Sequence, residues 1–424
     1  MMAILVTLLI CFALGVPIAF GLGMAGLVSI VMVGGIRLEI VPLMVFNGSQ
    51  SYTLIAIPLF ILMGQIMNRS SISTRLIDFA SALVGFIRGG LGMATICTGT
   101  AMAAISGSSV ADAAALGAIL IPQMDQRGYG KGFAVSIVSS AATLAQVIPP
   151  SITMILYAVI ARVSIRDLFI AGLIPGVLCA LGLMAVVYVY ARSNNLAQVS
   201  AFSLTRVSVT FKRAFLGLLL PFIVIGGILG GYFTPTEAGA IGVFYAMLLS
   251  TFIYKEMTLE GFVKGLNGAA KQTAIVIIMV GTSQLLSWYL TQQQIPERLA
   301  ASLLDISTNR HVVALLVSSL ILVAGMFLHG TPLVIMLIPM LAPLMSKVGM
   351  DLTQFGIVTC IAVSIGQITP PVASVLMVTS GIAELGIDKI VRPLMPFILV
   401  LTAVMLLTAY VPGLSLWLPG AVGL

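Results

Sequence analysis

Two proline pairs, Pro149-Pro150 and Pro370-Pro371, lie in uncharged segments that run from Lys131 to Arg162 and from Asp351 to Glu384. Each segment is about thirty residues, long enough to cross a bilayer. Proline removes a backbone donor and clashes with the preceding turn, so each pair must break its helix. In hydrocarbon the freed carbonyls then need protein or water as partners. Two more polar interruptions occur in apolar surroundings: Ser106-Gly107-Ser108-Ser109, followed by Asp112, and Leu328-His329-Gly330-Thr331-Pro332. The chemistry on offer is oxygen ligation and anion binding. Unwound carbonyls near Leu144 to Ile148 and Ile365 to Thr369, including Gly366, join the hydroxyls of Ser106, Ser108, Ser109 and Thr369 as ligands for a hard monovalent cation. A helix starting at Ser151, just after Gln146, and those restarting at the two interruptions aim free N–H groups at a carboxylate. Paired interruptions in corresponding positions of two halves are the pattern of a secondary transporter's binding site.

Asp112 is an acidic residue deep within an apolar run, where a carboxylate is a candidate for an ion or proton path. It can equally neutralise its own helix N-terminus, since Ser109-Val110-Ala111-Asp112 has the form of a capping box. Thr331-Pro332 reads as an N-cap followed by a first-turn proline. His329 either titrates and couples protons or stays neutral and hydrogen-bonded. Glu237, in Thr234-Pro235-Thr236-Glu237, reads as a helix cap. Gly21-Leu22-Gly23-Met24-Ala25-Gly26 matches a dinucleotide fingerprint in letters only; within an apolar span it means helix packing.

The elements that must hold these residues follow from the spacing of charges and turns. A first span is expected over Ala3 to Val33 and a second near Thr53 to Met67, then an amphipathic connector from Arg69 to Arg88. Residues 89–124 would rise ~54 Å as one straight helix against a ~30 Å core. They are therefore read as a re-entrant hairpin with its serine-rich tip inside the membrane. The first broken helix is 132–161. Ser164-Ile165-Arg166-Asp167 then opens a helix to Arg192, and the polar stretch 192–213 is the linker between halves. The second half, 214–424, has spans at Ala214 to Tyr232 and on to Tyr254, then Gln272 to Leu290. A polar loop from Thr291 to Arg310 leads to a second hairpin, 311–346, a second broken helix, 352–383, and a last span, Pro393 to Val411.

Sixty per cent hydrophobic residues, 8% charged and a mean hydropathy of +1.17 place the chain among polytopic all-α membrane proteins. The net charge of +7 is scattered between apolar runs rather than gathered on a soluble face, which excludes nucleic acid as a partner. Cys11, Cys97, Cys179 and Cys360 lack paired spacing, and with two histidines an intramembrane enzyme has too few groups to build a site. The opening segment has no basic n-region or cleavage site and reads as a retained span.

A constant offset of 221 residues relates Pro122 to Pro343, Gly128 to Gly349, Gln146 to Gln367, both prolines of each pair, and Pro175 to Pro396. Residues 1–191 and 214–424 are thus repeats. Five crossings from one broken helix to the other make them inverted, with one gate facing each side, which argues against a channel. With the N-terminus in the cytoplasm and the C-terminus outside, fourteen of the twenty basic residues fall inside, as the positive-inside rule asks.

The segments Ser106-Gly107-Ser108-Ser109-Val110-Ala111-Asp112, Ile148-Pro149-Pro150-Ser151, Phe233-Thr234-Pro235-Thr236-Glu237-Ala238-Gly239 and Ile368-Thr369-Pro370-Pro371-Val372 together resemble the large membrane subunit of tripartite ATP-independent periplasmic (TRAP) transporters, over nearly the whole chain. The resemblance implies a sodium-driven elevator transporter of the ion-transporter superfamily in the bacterial inner membrane. Hairpins and broken helices would form the moving domain and the other spans a scaffold. It also implies two partners, a four-helix small membrane subunit and a periplasmic binding protein that delivers an organic acid, with sodium as the coupling ion and no other cofactor. The alternative is a one-component carboxylate transporter or antiporter, proton-coupled through His329. The chain departs from the family pattern at His329-Gly330, where aspartate is usual before Thr-Pro, and at Ala362, where asparagine is usual. It departs again at Ala141-Ala142 and Ala145-Gln146, where glycines and proline are common. These changes remove possible ion ligands.

Overall fold

The computed structural model describes residues 2–196, 201–295, 298 and 309–422. Among these residues the chain is helical throughout, with no strand. In the first half the helices are α1 (Met2–Ala13), α2 (Ile18–Val33), α3 (Ile40–Ser49), α4 (Ala56–Asn68), α5 (Ile72–Val84), α6 (Gly90–Ser106), α7 (Ser109–Gln126), α8 (Lys131–Thr143), α9 (Ile152–Ala161) and α10 (Ile165–Ser193). The second half has α11 (Leu204–Leu229), α12 (Pro235–Leu248), α13 (Leu259–Gln292), α14 (Arg310–Gly325), α15 (Gly330–Lys347), α16 (Leu352–Gly366), α17 (Ser374–Ala383), α18 (Asp388–Tyr410) and α19 (Gly413–Ala421). Six of these are long and apolar enough to cross a membrane, or seven if the bent pair α3–α4 is one span.

The repeat is visible in the fold. Helices α7 and α15 each have 18 residues and start at Ser109 and Gly330, positions related by the same offset that relates the prolines. Helices α6 and α7, like α14 and α15, fold back on each other as hairpins, and each proline pair separates two helices, α8 from α9 and α16 from α17. The fold is all-α and polytopic, two inverted repeats each with a re-entrant hairpin and a broken helix.

The first halves of the broken helices are the core. Every residue of α8 from Phe133 to Thr143 is buried, and so is every residue of α16 from Gln354 to Gly366. A helix buried all round has no lipid-facing stripe, which is why serine and threonine are tolerated here: Ser139 pairs with Thr379 at 2.7 Å and Ser364 donates to the Thr143 carbonyl at 3.1 Å. Each hairpin's first arm lies on its own broken helix through small residues. A side chain added at Gly99 of α6 would meet Ala141 of α8 at 2.9 Å, and one at Gly366 of α16 would meet the Gly325 backbone at the end of α14 at 2.6 Å.

The connector α5 is fixed at its start by the loop after α12. Glu256 accepts from the Ser71 amide at 2.7 Å and hydroxyl at 2.6 Å, and Arg75 bridges to it at 3.5 Å while covering the Tyr254 ring at 3.9 Å. The capping box at Thr234 and Glu237 forms as expected, as does the cap of α10 by Ser164. All four cysteines are free thiols.

Several expected elements differ. Ala3 to Val33 is two helices: Gly15 takes a left-handed turn with φ 70° and Pro17 starts α2, which returns along α1 so that Gly21 faces Cys11 and Leu8. The single span expected over Ala3 to Val33 is thus replaced by this pair of helices. The interhalf linker is shorter than 192–213, because α11 begins at Leu204, capped by Ser203. Helix α13 extends the expected Gln272–Leu290 span at both ends, and most of the loop from Thr291 to Arg310 lies outside the described residues. Past Val411 a further short helix, α19, packs on α10.

Because Gly366 and Gly325 leave no room for a methyl group, Gly366→Ala should destabilise the protein by about 1–3 kcal/mol. Gly226→Ala, where the added carbon meets nothing within 4 Å, should not. Thermal melting of the detergent-solubilised protein will show whether the two glycines differ.

Candidate functional site

The first break starts as a tight 3-10 turn, Leu144–Gln146, whose Leu144 carbonyl takes the amides of Val147 and Ile148 at 2.9 and 2.8 Å. Ser151 ends it as N-cap of α9: its hydroxyl accepts from the Met154 amide at 3.4 Å and donates to the Gln146 carbonyl at 3.0 Å. This serine therefore satisfies both the helix that ends and the helix that begins. The first hairpin tip closes over the break. Gly107, at φ 60°, lies so close to the Pro150 carbonyl that a side-chain carbon there would be 2.8 Å from it, which only glycine permits.

The second break is held by the second tip. Met326 offers its carbonyl to the amides of Val372 and Ala373 at 3.1 and 3.2 Å, and the Gln367 carbonyl receives Val375 at 3.0 Å. Gly366 turns its carbonyl to the Thr369 amide at 3.1 Å, and the Thr369 hydroxyl bonds back to Ile365 at 2.7 Å. Both proline-proline bonds, Pro149-Pro150 and Pro370-Pro371, are cis.

The two breaks and two tips converge on a cluster of amides and hydroxyls. Ser109 donates to the Gln367 side-chain oxygen at 2.7 Å and accepts from the Gln146 amide, and Gln146 stands 3.4 Å from Gln367. Thr153 of α9 donates to Gln146. Gly330, first residue of α15, completes the cluster: a side-chain carbon there would lie 2.7 Å from Gln367 Nε2, which has no hydrogen-bond partner among the described residues. Asp112, one turn into α7, is fully buried. The Ser106 hydroxyl is beside it, but neither carboxylate oxygen closes a hydrogen bond. A buried polar atom without a partner is costly, and here the atoms are a carboxylate and an amide at the meeting point of four polar segments.

Ser106, Gly107, Ser109, Asp112, Gln146, Pro149, Pro150, Ser151, Gly330 and Gly366 are buried around this centre, and Ser108 is half-buried at the first tip. The second tip is looser. Thr331 and Thr369 are half-buried, Pro371 is exposed, and His329 is an exposed N-cap whose side chain makes no hydrogen bond to a described residue. The expected capping box on Ser109 does not form, because the N-cap is Ser108 and Ser109 is already helical, its hydroxyl committed to Gln367. Thr331 is likewise not the N-cap. The N-cap is His329, two residues earlier, which makes Pro332 the third helical residue of α15 instead of the first.

Residues 5–414 match the family described as "Tripartite ATP-independent periplasmic transporter, DctM component". The chain belongs to the TRAP transporter large-permease family. It is similar to the C4-dicarboxylate large permease DctM of Pseudomonas aeruginosa, at 37% identity over 95% of this chain and 94% of that one. It is also similar to the 2,3-diketo-L-gulonate permease YiaN of Escherichia coli, at 37% over 95% of each, and the sialic acid permease SiaM of Vibrio cholerae, at 35% over 96% and 95%. Among solved structures the YdaH transporter of Alcanivorax borkumensis shares the fold, with a TM-score of 0.58 at 15% identity over 89% of this chain and 88% of that one. This TRAP permease is a multi-pass inner-membrane transporter subunit and not an enzyme.

Two contributors to the cluster escaped the reading of the sequence, Gln367 and Thr153. The signal for Gln367 was present, since it is the repeat mate of Gln146. Residues near the pseudo-twofold axis meet their own mates, and the Thr143–Ser364 bond obeys the same rule. If the cluster ties the repeats together, Gln146→Leu and Gln367→Leu should be non-additive, with a coupling of about 0.5–3 kcal/mol in a double-mutant cycle; additive melting shifts would show two independent sites. Asp112→Asn and Ser108→Ala should each lower transport per folded molecule about tenfold while folded yield stays within about twofold. Unchanged transport in both would leave the first tip a structural role only.

Proposed function

We propose that this permease drives sodium-coupled uptake of a small organic acid, of the C4-dicarboxylate, keto-acid or sugar-acid class. A periplasmic binding protein hands over the acid, and a small four-helix membrane subunit is the permanent partner. The observation that carries the reading is the meeting of both tips and both breaks on one buried cluster beside an unpartnered carboxylate. In that position Asp112 needs a counter-charge, and the hydroxyls of Ser106, Ser108, Ser109 and Thr369 with the carbonyls of the breaks supply the oxygen donors that a sodium ion prefers. Helix starts at Ile152 and Gly330 supply N–H groups for the acid. The relatives named for C4-dicarboxylates, 2,3-diketo-L-gulonate and sialic acid share a carboxylate, and the substrate class proposed follows them.

In this reading α6 to α9 and α14 to α17 move as one body past a scaffold that contains α3, α4, α11, α12 and α13, in the manner of an elevator. The lysine and arginine bias puts the loops around Arg69 to Arg88, Arg127 to Lys131 and Lys389 to Arg392 in the cytoplasm. The first tip then reaches in from the cytoplasm, the second from the periplasm, and the C-terminus is periplasmic.

Reconstituted into vesicles with its two partners, the permease should accumulate its acid only under an inward sodium gradient, and an imposed potassium gradient should not substitute. Uptake that ignores sodium would remove the coupling ion from this account.

A further inference from the structure

Away from the cluster, a cavity of about 720 Å³ opens between the α3–α13 wall and the far ends of α9 and α15. Its volume is that of a small-molecule site. The wall on α13 is a polar stripe in an apolar span: Ser283, Gln284, Ser287 and Thr291 all line the cavity, at spacings that put them on one helix face. Polar side chains on one face of a membrane helix belong against a water-filled space or a ligand. Asn47 of α3 adds a second amide to the same wall. The side chains of Asn47 and Gln284 make no hydrogen bond to any described residue, so both amides are free to turn into the cavity.

Arg162 closes the opposite side and is the only charged residue among the described ones that line the cavity. It forms no ion pair and no side-chain hydrogen bond among the described residues. Its backbone is left-handed, φ 57°, at the C-cap of α9, where glycine or asparagine is the ordinary choice. A side chain's Cβ crowds the backbone in that conformation, so backbone geometry does not account for an arginine there. The orientation proposed above makes this the periplasmic end.

The geometry points to a receiving site for the organic acid in this cavity: Arg162 takes the carboxylate, and Gln284 and Asn47 take hydroxyl or carbonyl oxygens of its body. A guanidinium presents a planar fork that pairs with a carboxylate through two parallel hydrogen bonds. The neutral amides opposite suit an acid with one charged end and an oxygenated chain. The inference rests on the organic-acid reading. It adds a site ahead of the cluster, where the acid waits before the tips admit it.

The test measures uptake by the complete reconstituted complex against external concentration, using succinate, 2,3-diketo-L-gulonate and sialic acid as probes. Arg162→Gln should raise the half-saturating concentration about tenfold or more while the maximal rate stays within about twofold. Arg162→Lys, which keeps the charge but loses the planar fork, should recover only part of the loss, and Gln284→Leu, on the other wall, should raise half-saturation on its own. Arg162→Gly separates this role from a helix cap, because glycine fits the left-handed position better than arginine and yet should behave like Arg162→Gln. Wild-type half-saturation in Arg162→Gly overturns the receiving site while leaving sodium-coupled uptake intact. A wild-type complex that takes up none of the three acids overturns both readings.

Discussion

Backbone polarity released in the middle of a membrane is the constraint on which this structure depends. Each proline pair strands carbonyls and amides where water cannot reach them freely, and an unpaired peptide group there is strongly unfavourable. The protein answers each break with a hairpin. At the first break, Gly107 allows the tip's backbone against the Pro150 carbonyl, and Ser151 uses one hydroxyl for both helix ends. At the second, the Met326 carbonyl takes two amides at once. The hairpins exist because the breaks need partners, and the breaks survive because the hairpins provide them.

The two answers are not equal, and the difference has a local cause. After the first proline pair one residue, Ser151, separates Pro150 from α9. After the second, Val372 and Ala373 separate Pro371 from α17, one residue more. The extra residue is absorbed by Ala373 in a left-handed conformation, φ 50°, without a side-chain cap. The first break is consequently buried along its whole length, whereas Pro371 and Val372 are exposed at the second. A similar asymmetry runs through the outer helices. The bent pair α3–α4, with 56° between its arms, stands at the offset where the other half has the single helix α13.

Much of this was legible from residue types alone. Proline pairs, serine-rich tips and a fixed offset specify two broken helices and two hairpins, because proline chemistry is local and its consequence in lipid leaves few alternatives. The turn at Gly15 to Pro17 obeys the same chemistry, but apolar residues on both sides hid it inside what looked like one long span. The caps at the tips were harder. Ser109 and Thr331 have the right residue type for an N-cap, yet whether a hydroxyl bonds its own helix or a glutamine 258 positions away is decided by packing between repeats. The partnership of Gln367 with Ser109 and Gln146 needed the offset to be read as symmetry in space as well as ancestry in sequence.

That symmetry also limits where a charge can be handled. The repeat mate of Asp112 is Leu333, fully buried in α15, and the mate of Ser109 is Gly330, which brings backbone rather than a hydroxyl to the cluster. An ionised carboxylate sealed in protein must be matched by a cation or give up its charge, and the second tip, Leu328-His329-Gly330-Thr331-Pro332, carries no carboxylate. Any coupling that runs through a carboxylate therefore belongs to the first repeat. The second contributes a free amide on Gln367 and the looser half of the cluster, so a nearly twofold structure keeps its buried carboxylate on one side of its own axis.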